Sequence, residues 1–451
     1  MVNVRSIIEG AAKVVPRVQR PVRKVGFGER ILWTTIALTV FLVMGQIPLY
    51  GIPRESPSFQ QTIFNVIFAA RRGTLLELGI GPIVTAGLIM QILVGTKIVR
   101  LDLTNPRDRA LFTSSQKVLT LIVTAIEAAA SALAYRFVGS ALTPIVVFVQ
   151  LFVATILLML LDELIDKGWG IGSGISLFIA AGVAQHIFWF CFSPIPVREN
   201  GGPLGIFPAL ISYAMNGKDL WSVVIGSPEN PWLPTLTGFI AMVVMLVLIV
   251  YLEGMRVEIP IVYSKYGGFR AKTPLKLLYV SNIPVIFFGV VAANLHMLAN
   301  LTNNPFIIGI SNAFTAPHGI LQALQNPLHT LAYILLMCSI CALLALAWVE
   351  AAGMSARTQA ENIIRSGLQI PGFRSAPSVI EQYLARYIHT LTWVSGIIVA
   401  LIAAFGDILG VLGGGIGILL LVGILYQYYQ ILARERALEM YPMLKQFLGT
   451  E

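Results

Sequence analysis

Charge is scarce in this chain. Asp, Glu, Lys and Arg make up 12% of its 451 residues, about half the share of an average soluble domain. With 56% hydrophobic residues and a mean hydropathy of +0.79, this scarcity excludes a soluble enzyme and a disordered regulator. Cysteine is rare too. Cys191, Cys338 and Cys341 lie within or beside apolar runs, and the Cys338 to Cys341 spacing has no companion His or Cys pair, so no metal site or redox pair is expected. A GxxxxGK loop is missing, so no cofactor is expected and any energy for movement must come from a partner. Residues 1 to 30 contain Pro16, Pro21 and seven basic residues but no long apolar core before a small-residue cleavage site, which argues against a cleavable signal. Nor does the chain show the evenly spaced, alternating segments of a membrane barrel.

What it has instead is long, continuous apolar runs. They fall at about 31 to 48, 74 to 95, 117 to 137, 143 to 161, 170 to 192, 233 to 254, 275 to 298, 328 to 351, 387 to 406 and 411 to 433. A bilayer crossing takes about 20 such residues, so the expected fold is an all-α membrane protein of ten transmembrane helices. Placing the amino terminus in the cytoplasm puts 25 of the 31 Lys and Arg residues on the inner side. The outer side keeps Arg54, Arg71, Arg72, Arg136, Arg198 and Lys218, and the loop from His296 to Pro327 has neither Lys nor Arg. Both termini are therefore expected to be cytoplasmic.

Five crossings that start inside and five that start outside are the arithmetic of two inverted-repeat halves. On this reading a cytoplasmic segment (1 to 30) precedes the first half (31 to 192). An external connecting loop (193 to 232), the second half (233 to 433) and a cytoplasmic tail (434 to 451) follow. The Pro- and Gly-rich external loop reads as a plain connector. Phe59 to Ala70 is apolar with helical period but too short to span, which predicts a re-entrant helix, or alternatively an interfacial one.

Within the crossings, Ile80 and Val84 are four residues apart, as are Ile175 and Ile179, so each pair shares one helix face. Gly79, Gly81 and Gly87, and Gly170, Gly172 and Gly174, permit close backbone approach, which ordinary membrane packing would also use. Five runs carry a resemblance: Leu78-Gly-Ile-Gly-Pro-Ile-Val-Thr-Ala-Gly87, Gly170-Ile-Gly-Ser-Gly-Ile-Ser-Leu-Phe-Ile179, Arg256-Val-Glu-Ile-Pro260, Val280-Ser-Asn-Ile-Pro-Val285 and Pro371-Gly-Phe-Arg374. In content, order and placement they resemble the SecY family, the channel-forming alpha subunits of the protein translocon, with outer loops similar to those of archaeal members.

The resemblance implies a protein-conducting channel of the plasma membrane, not an enzyme. Such a channel passes unfolded secretory polypeptides and releases transmembrane segments through a lateral gate. It also implies a pore ring of Ile80, Val84, Ile175, Ile179, Ile286 and Leu420, and a plug at about 59 to 70 that includes Phe59, Ile63, Phe64, Val66 and Ile67. Thr85, Glu127 and Asn294 match the polar cluster of the lateral gate. Glu127 draws notice on its own as well, since an ionisable group mid-crossing costs at least about 2.5 kcal/mol unless paired or hydrated. The basic loops 256 to 276 and 352 to 386 match those that dock the ribosome, with Arg270 and Arg374 as the candidate contacts. Expected partners are a SecE-like gamma subunit, a small beta subunit, the ribosome, signal sequences and nascent chains, and membrane lipids.

Two other functions compete. Ten helices in an inverted repeat would also suit a secondary active transporter, but Glu127 is nearly alone at mid-membrane while Asp162, Glu163, Glu253 and Glu350 fall near helix ends. Ser173 and His186 suggest an intramembrane protease, yet on one helix they would stand roughly 20 Å apart, too far for a nucleophile and its base.

Overall fold

The computed structural model describes residues 16–23, 25–50, 70–71, 73–95, 98–99, 101, 105–134, 142–198, 201–217, 220–227, 230, 232–263, 269–302, 304–365, 368–369 and 377–440. Each of the ten apolar runs holds a helix. They are α1 (Phe27–Met44), α2 (Gly81–Gly95), α3 (Pro106–Ala134), α4 (Thr143–Leu164), α5 (Gly174–Phe192), α6 (Leu236–Gly254), α7 (Ile283–Thr302), α8 (Pro327–Ala351), α9 (Pro377–Ile408) and α10 (Gly414–Met440). Eight are long and apolar enough to cross a membrane, and α2 and α7 are shorter apolar helices.

Boundaries differ from the sequence expectation where hydrogen bonds other than those of the helix take over. The second helix starts at Gly81 rather than near 74, because Leu75 N–H donates to Ile47 O (3.0 Å) and Leu49 N–H to Gly73 O (2.9 Å). These bonds join both ends of the stretch from Tyr50 to Arg71. Arg71 closes the same junction with a 3.1 Å bond from Nη1 to the Gly45 carbonyl, and burial lowers its guanidinium pKa. The seventh helix starts at Ile283 because the residues before it are paired: β3 (Arg256–Tyr263) and β4 (Phe269–Lys276) form an antiparallel ladder, and β5 (Leu368–Gln369) joins it in the order β4-β3-β5. Helices α3 and α9 begin earlier than their apolar cores, α3 with a charged first turn.

The connector at 193 to 232 is not plain. β1 (Pro196–Arg198) and β2 (Gly202–Pro203) pair, and a helix follows at Ile206–Met215. Arg198 is 5% exposed, and its guanidinium donates to the carbonyls of Pro203 and Pro234, satisfying a charge whose pKa burial lowers. The loop beginning at His296 likewise contains two short helices, Pro305–Ala313 and Gly319–Gln325.

The chain divides into two compact units. One comprises residues 1–86, 114–188 and 420–451, the other 87–113 and 189–419. In the first, Phe41 of α1 stacks on Phe178 of α5 with ring centroids 4.9 Å apart. Ala128, Ala132, Val147 and Leu151 join α3 to α4. Glu163, at the end of α4, accepts from Lys117 Nζ (2.6 Å), Lys167 Nζ (2.7 Å) and the Val18 backbone N–H (3.1 Å), while Trp169 Nε1 donates to Gln19 O (2.9 Å). Glu163 and Trp169 thus hold Val18 and Gln19 at the end of α4, where Lys117 of α3 also binds.

In the second unit α8 and α9 pack closely because Gly396 leaves room for Ala342 and Ala345. Ile259, Tyr279 and Val280 continue this core together with Val349, Ile380 and Leu384. The Tyr279 hydroxyl donates to Met354 O (2.6 Å), and burial pushes its pKa up to about 12, so it stays a donor.

Replacing Glu163 by Ala removes three accepted hydrogen bonds and leaves two lysines without their carboxylate. The expected cost is on the order of 2 kcal/mol, read as a lower unfolding midpoint. Limited proteolysis should cut faster between Arg17 and Arg23 than in the parent chain. Equal cleavage rates would show that this carboxylate does not hold the segment.

Candidate aliphatic neck and polar seam

Four helices bear five of the six aliphatic candidates, all within about two turns of a helix start, and Ile80 directly precedes α2. Gly79 adopts φ +53°, a conformation open to glycine at no steric cost, and turns the chain into α2. Val84 N–H then donates to Ile80 O (3.0 Å), which sets the two side chains one turn apart. Ile80 is fully buried and Val84 half-buried. On α5, Ile175 is half-buried and Ile179 buried. Ile286 of α7 is half-buried, and Leu420 of α10 is 2% exposed.

The turn before α5 is held from two directions. Ile175 N–H donates to Asp162 Oδ1 (2.8 Å), and Gly174 N–H to Asp166 Oδ1 (3.2 Å). The Tyr428 hydroxyl lies 3.0 Å from the carbonyls of both Ile171 and Ser173. Its ring fills the space a side chain at Gly172 would need, and the Asp162 backbone does the same at Gly174. The close approach expected of these glycines is present.

The corresponding starts in the other half are also tied down. Asp407, buried at the end of α9, accepts from Gly415 N–H (2.7 Å) and from the Tyr333 hydroxyl (2.9 Å). Asn282, also buried, donates from Nδ2 to Leu419 O (3.0 Å), just before Leu420 in the chain.

The three polar seam candidates meet different surroundings. Thr85 is half-buried, and its hydroxyl oxygen is shielded from water with no hydrogen-bond partner among the described residues. Glu127 is half-buried on α3. Asn294 is exposed on α7 and donates back to Val290 O of its own helix (2.9 Å). Arg270 sits on β4, its backbone paired with Val262. Phe59, Ile63, Phe64, Val66 and Ile67 lie outside the described residues, as does Arg374.

Asp162, Asp166, Asp407, Asn282, Tyr333 and Tyr428 carry these helix starts, and the sequence reading passed over their roles. An acidic residue ahead of a glycine-rich turn was a usable signal for the aspartates. For the tyrosines there was none, because Tyr428 reaches a turn more than 250 residues away.

Comparison with known proteins agrees with this architecture. Residues 74–429 match the family model SecY, and residues 40–73 match the plug domain of Sec61p. The protein translocase subunit SecY of Sulfolobus acidocaldarius is 41% identical over 96% of this chain and 97% of that one, and its Aeropyrum pernix counterpart is 42% identical over 100% and 99%. Among solved structures, one described as a protein conducting channel superposes with a TM-score of 0.78 at 35% identity, covering 97% of this chain and 98% of the other. Sec61 from a canine ribosome-channel complex gives 0.76 at 33% identity with the same coverage. The chain belongs to the SecY family of protein-conducting channels.

Proposed function

We propose that this protein-conducting channel closes on a neck of Ile80, Val84, Ile175, Ile179, Ile286 and Leu420, with the segment at about 59 to 70 as a plug against its outer side. The observation that carries the reading is that each of these aliphatic residues lies at or near a helix start behind a turn built from glycine or from Ser281. An apolar constriction disfavours water and ions without any charged filter. Aliphatic side chains can also part around translocating residues of unlike size, so no sequence-specific contact is required. Thr85, Glu127 and Asn294 would line the seam through which an apolar segment leaves for the lipid. The chain is read as non-enzymatic, with movement driven by a partner.

The same reading places the protein in the plasma membrane of an archaeal cell with both termini cytoplasmic, as the basic inner loops support. Its segments would be the cytoplasmic stretch 1 to 30, the half 31 to 192, the external connector 193 to 232, the half 233 to 433 and the tail 434 to 451. A SecE-like gamma subunit and a small beta subunit would complete the complex. The hairpin β3-β4 and the loop that contains Arg374 would dock a ribosome; the canine Sec61 to which the chain is similar was solved in a ribosome-channel complex.

Three experiments test this function. Ile80→Ser with Ile175→Ser replaces two aliphatic groups, each worth about 1.5–3 kcal/mol when buried, by hydroxyls that admit water. The purified complex should then pass a steady ion current in planar bilayers, and deletion of residues 59 to 70 should add to it. Silent membranes containing properly inserted variants would refute the neck, since a carrier altered there would lose transport without leaking. At the seam, Thr85→Cys with Asn294→Cys should cross-link in the closed channel, and absence of cross-linking would remove the gate assignment. Arg270→Glu with Arg374→Glu should weaken ribosome binding and reduce its salt dependence, because fewer phosphate contacts release fewer counterions. Binding unchanged across a salt series would exclude both residues from docking.

A further inference from the structure

The two halves repeat one device at the level of single residues. Gly79 and Ser281 both have φ +53°. Pro82 and Pro284 follow three residues on, Val84 and Ile286 five, and Gly87 and Gly289 eight. The bonds repeat as well: Gly79 N–H to Leu76 O and Ser281 N–H to Leu278 O, then Val84 N–H to Ile80 O and Ile286 N–H to Asn282 O. A second pair of starts behaves likewise. Gly172 (φ +74°) and Gly413 (φ +88°) stand two residues before Gly174 and Gly415, and seven before Ile179 and Leu420. In both cases aspartates ahead of the turn accept first-turn N–H groups: Asp407 from Gly415 and, in the same register, Asp166 from Gly174, with Asp162 taking the next amide, that of Ile175.

We infer that Asp162 and Asp407 are positioning residues with the same task though one amide apart in register, each fixing where a neck-bearing helix begins and hence which way Ile179 or Leu420 points. The first N–H groups of a helix have no partner within it, and an anionic acceptor there is favoured by the helix dipole. Asp407 is 5% exposed, and burying a carboxylate is costly unless donors surround it. Each aspartate binds a particular amide, so it selects a helix start as well as stabilising one. A slip of one residue would swing the neck side chain by about 100° around the helix. The repeat also accounts for the uneven contribution of the halves. Asn282 occupies the position equivalent to Ile80, where it bonds to Leu419 O instead of offering an aliphatic group.

This inference rests on the neck reading, so the test includes both. Asp162→Ala and Asp407→Ala remove the acceptor, whereas Asp162→Asn and Asp407→Asn keep an oxygen in place. The purified complex of each variant is recorded in planar bilayers beside Ile80→Ser with Ile175→Ser, with unfolding midpoints measured in detergent. Each alanine variant should raise the closed-channel current by roughly tenfold or more, as expected for loss of a charge-assisted hydrogen bond. Each asparagine variant should return most of the seal. If the neck variants leak while the aspartate variants stay silent, the positioning role is overturned and the neck stands. Leakage from the asparagine variants equal to that from alanine would also overturn it, since the acceptor would then not be what matters. Silence from the neck variants themselves would instead remove the neck. Should Asp407→Ala fail to insert, Asp162→Ala and the two asparagine variants decide the matter.

Discussion

A helix that begins among apolar neighbours has backbone N–H groups that neither its own turns nor bulk water can satisfy. The arrangement of the neck depends on how this chain meets that requirement. The acceptors come from elsewhere: Asp162 and Asp166 for α5 and Asp407 for α10. Each acceptor fixes the register of the helix it holds, and aliphatic side chains follow within about two turns. Glycines make the arrangement possible by letting backbone or a tyrosine ring come close.

The distribution of charge suits a channel with the apolar neck proposed above. Ionised groups gather near helix ends, where partners are dense: Glu163 with Lys117 and Lys167, Arg30 with Glu435 at 3.0 Å, and Arg198 with two carbonyls. The aliphatic groups of the proposed neck have no comparable bonds to break, so a passing polypeptide could displace them against packing alone.

Much of the fold was legible in the sequence. Ten apolar runs became ten helices because a run of apolar residues is a local signal that tertiary context seldom overrides. Boundaries were legible only where the chain's own pattern ended the helix. The starts of α2 and α7 moved because residues 47–49 and the β3-β4 ladder capture backbone groups that the apolar pattern assigned to helix. The helix at Ile206–Met215 was missed because Pro and Gly at the connector's start masked an apolar stretch behind them. The candidate neck residues rest on family resemblance, since spacing such as Ile80 and Val84 also fits ordinary packing.

Composition and apolar periodicity determine that this chain is a multi-pass helical membrane protein and where its helices lie, since both follow from transfer of contiguous side chains out of water. Where the helices that carry the neck candidates begin is settled by bonds between distant residues. Tyr428 to Ile171, Tyr333 to Asp407 and Asn282 to Leu419 join positions far apart in the chain. A hydrogen bond needs its donor and acceptor within about 3 Å, and only the folded chain brings such groups that close.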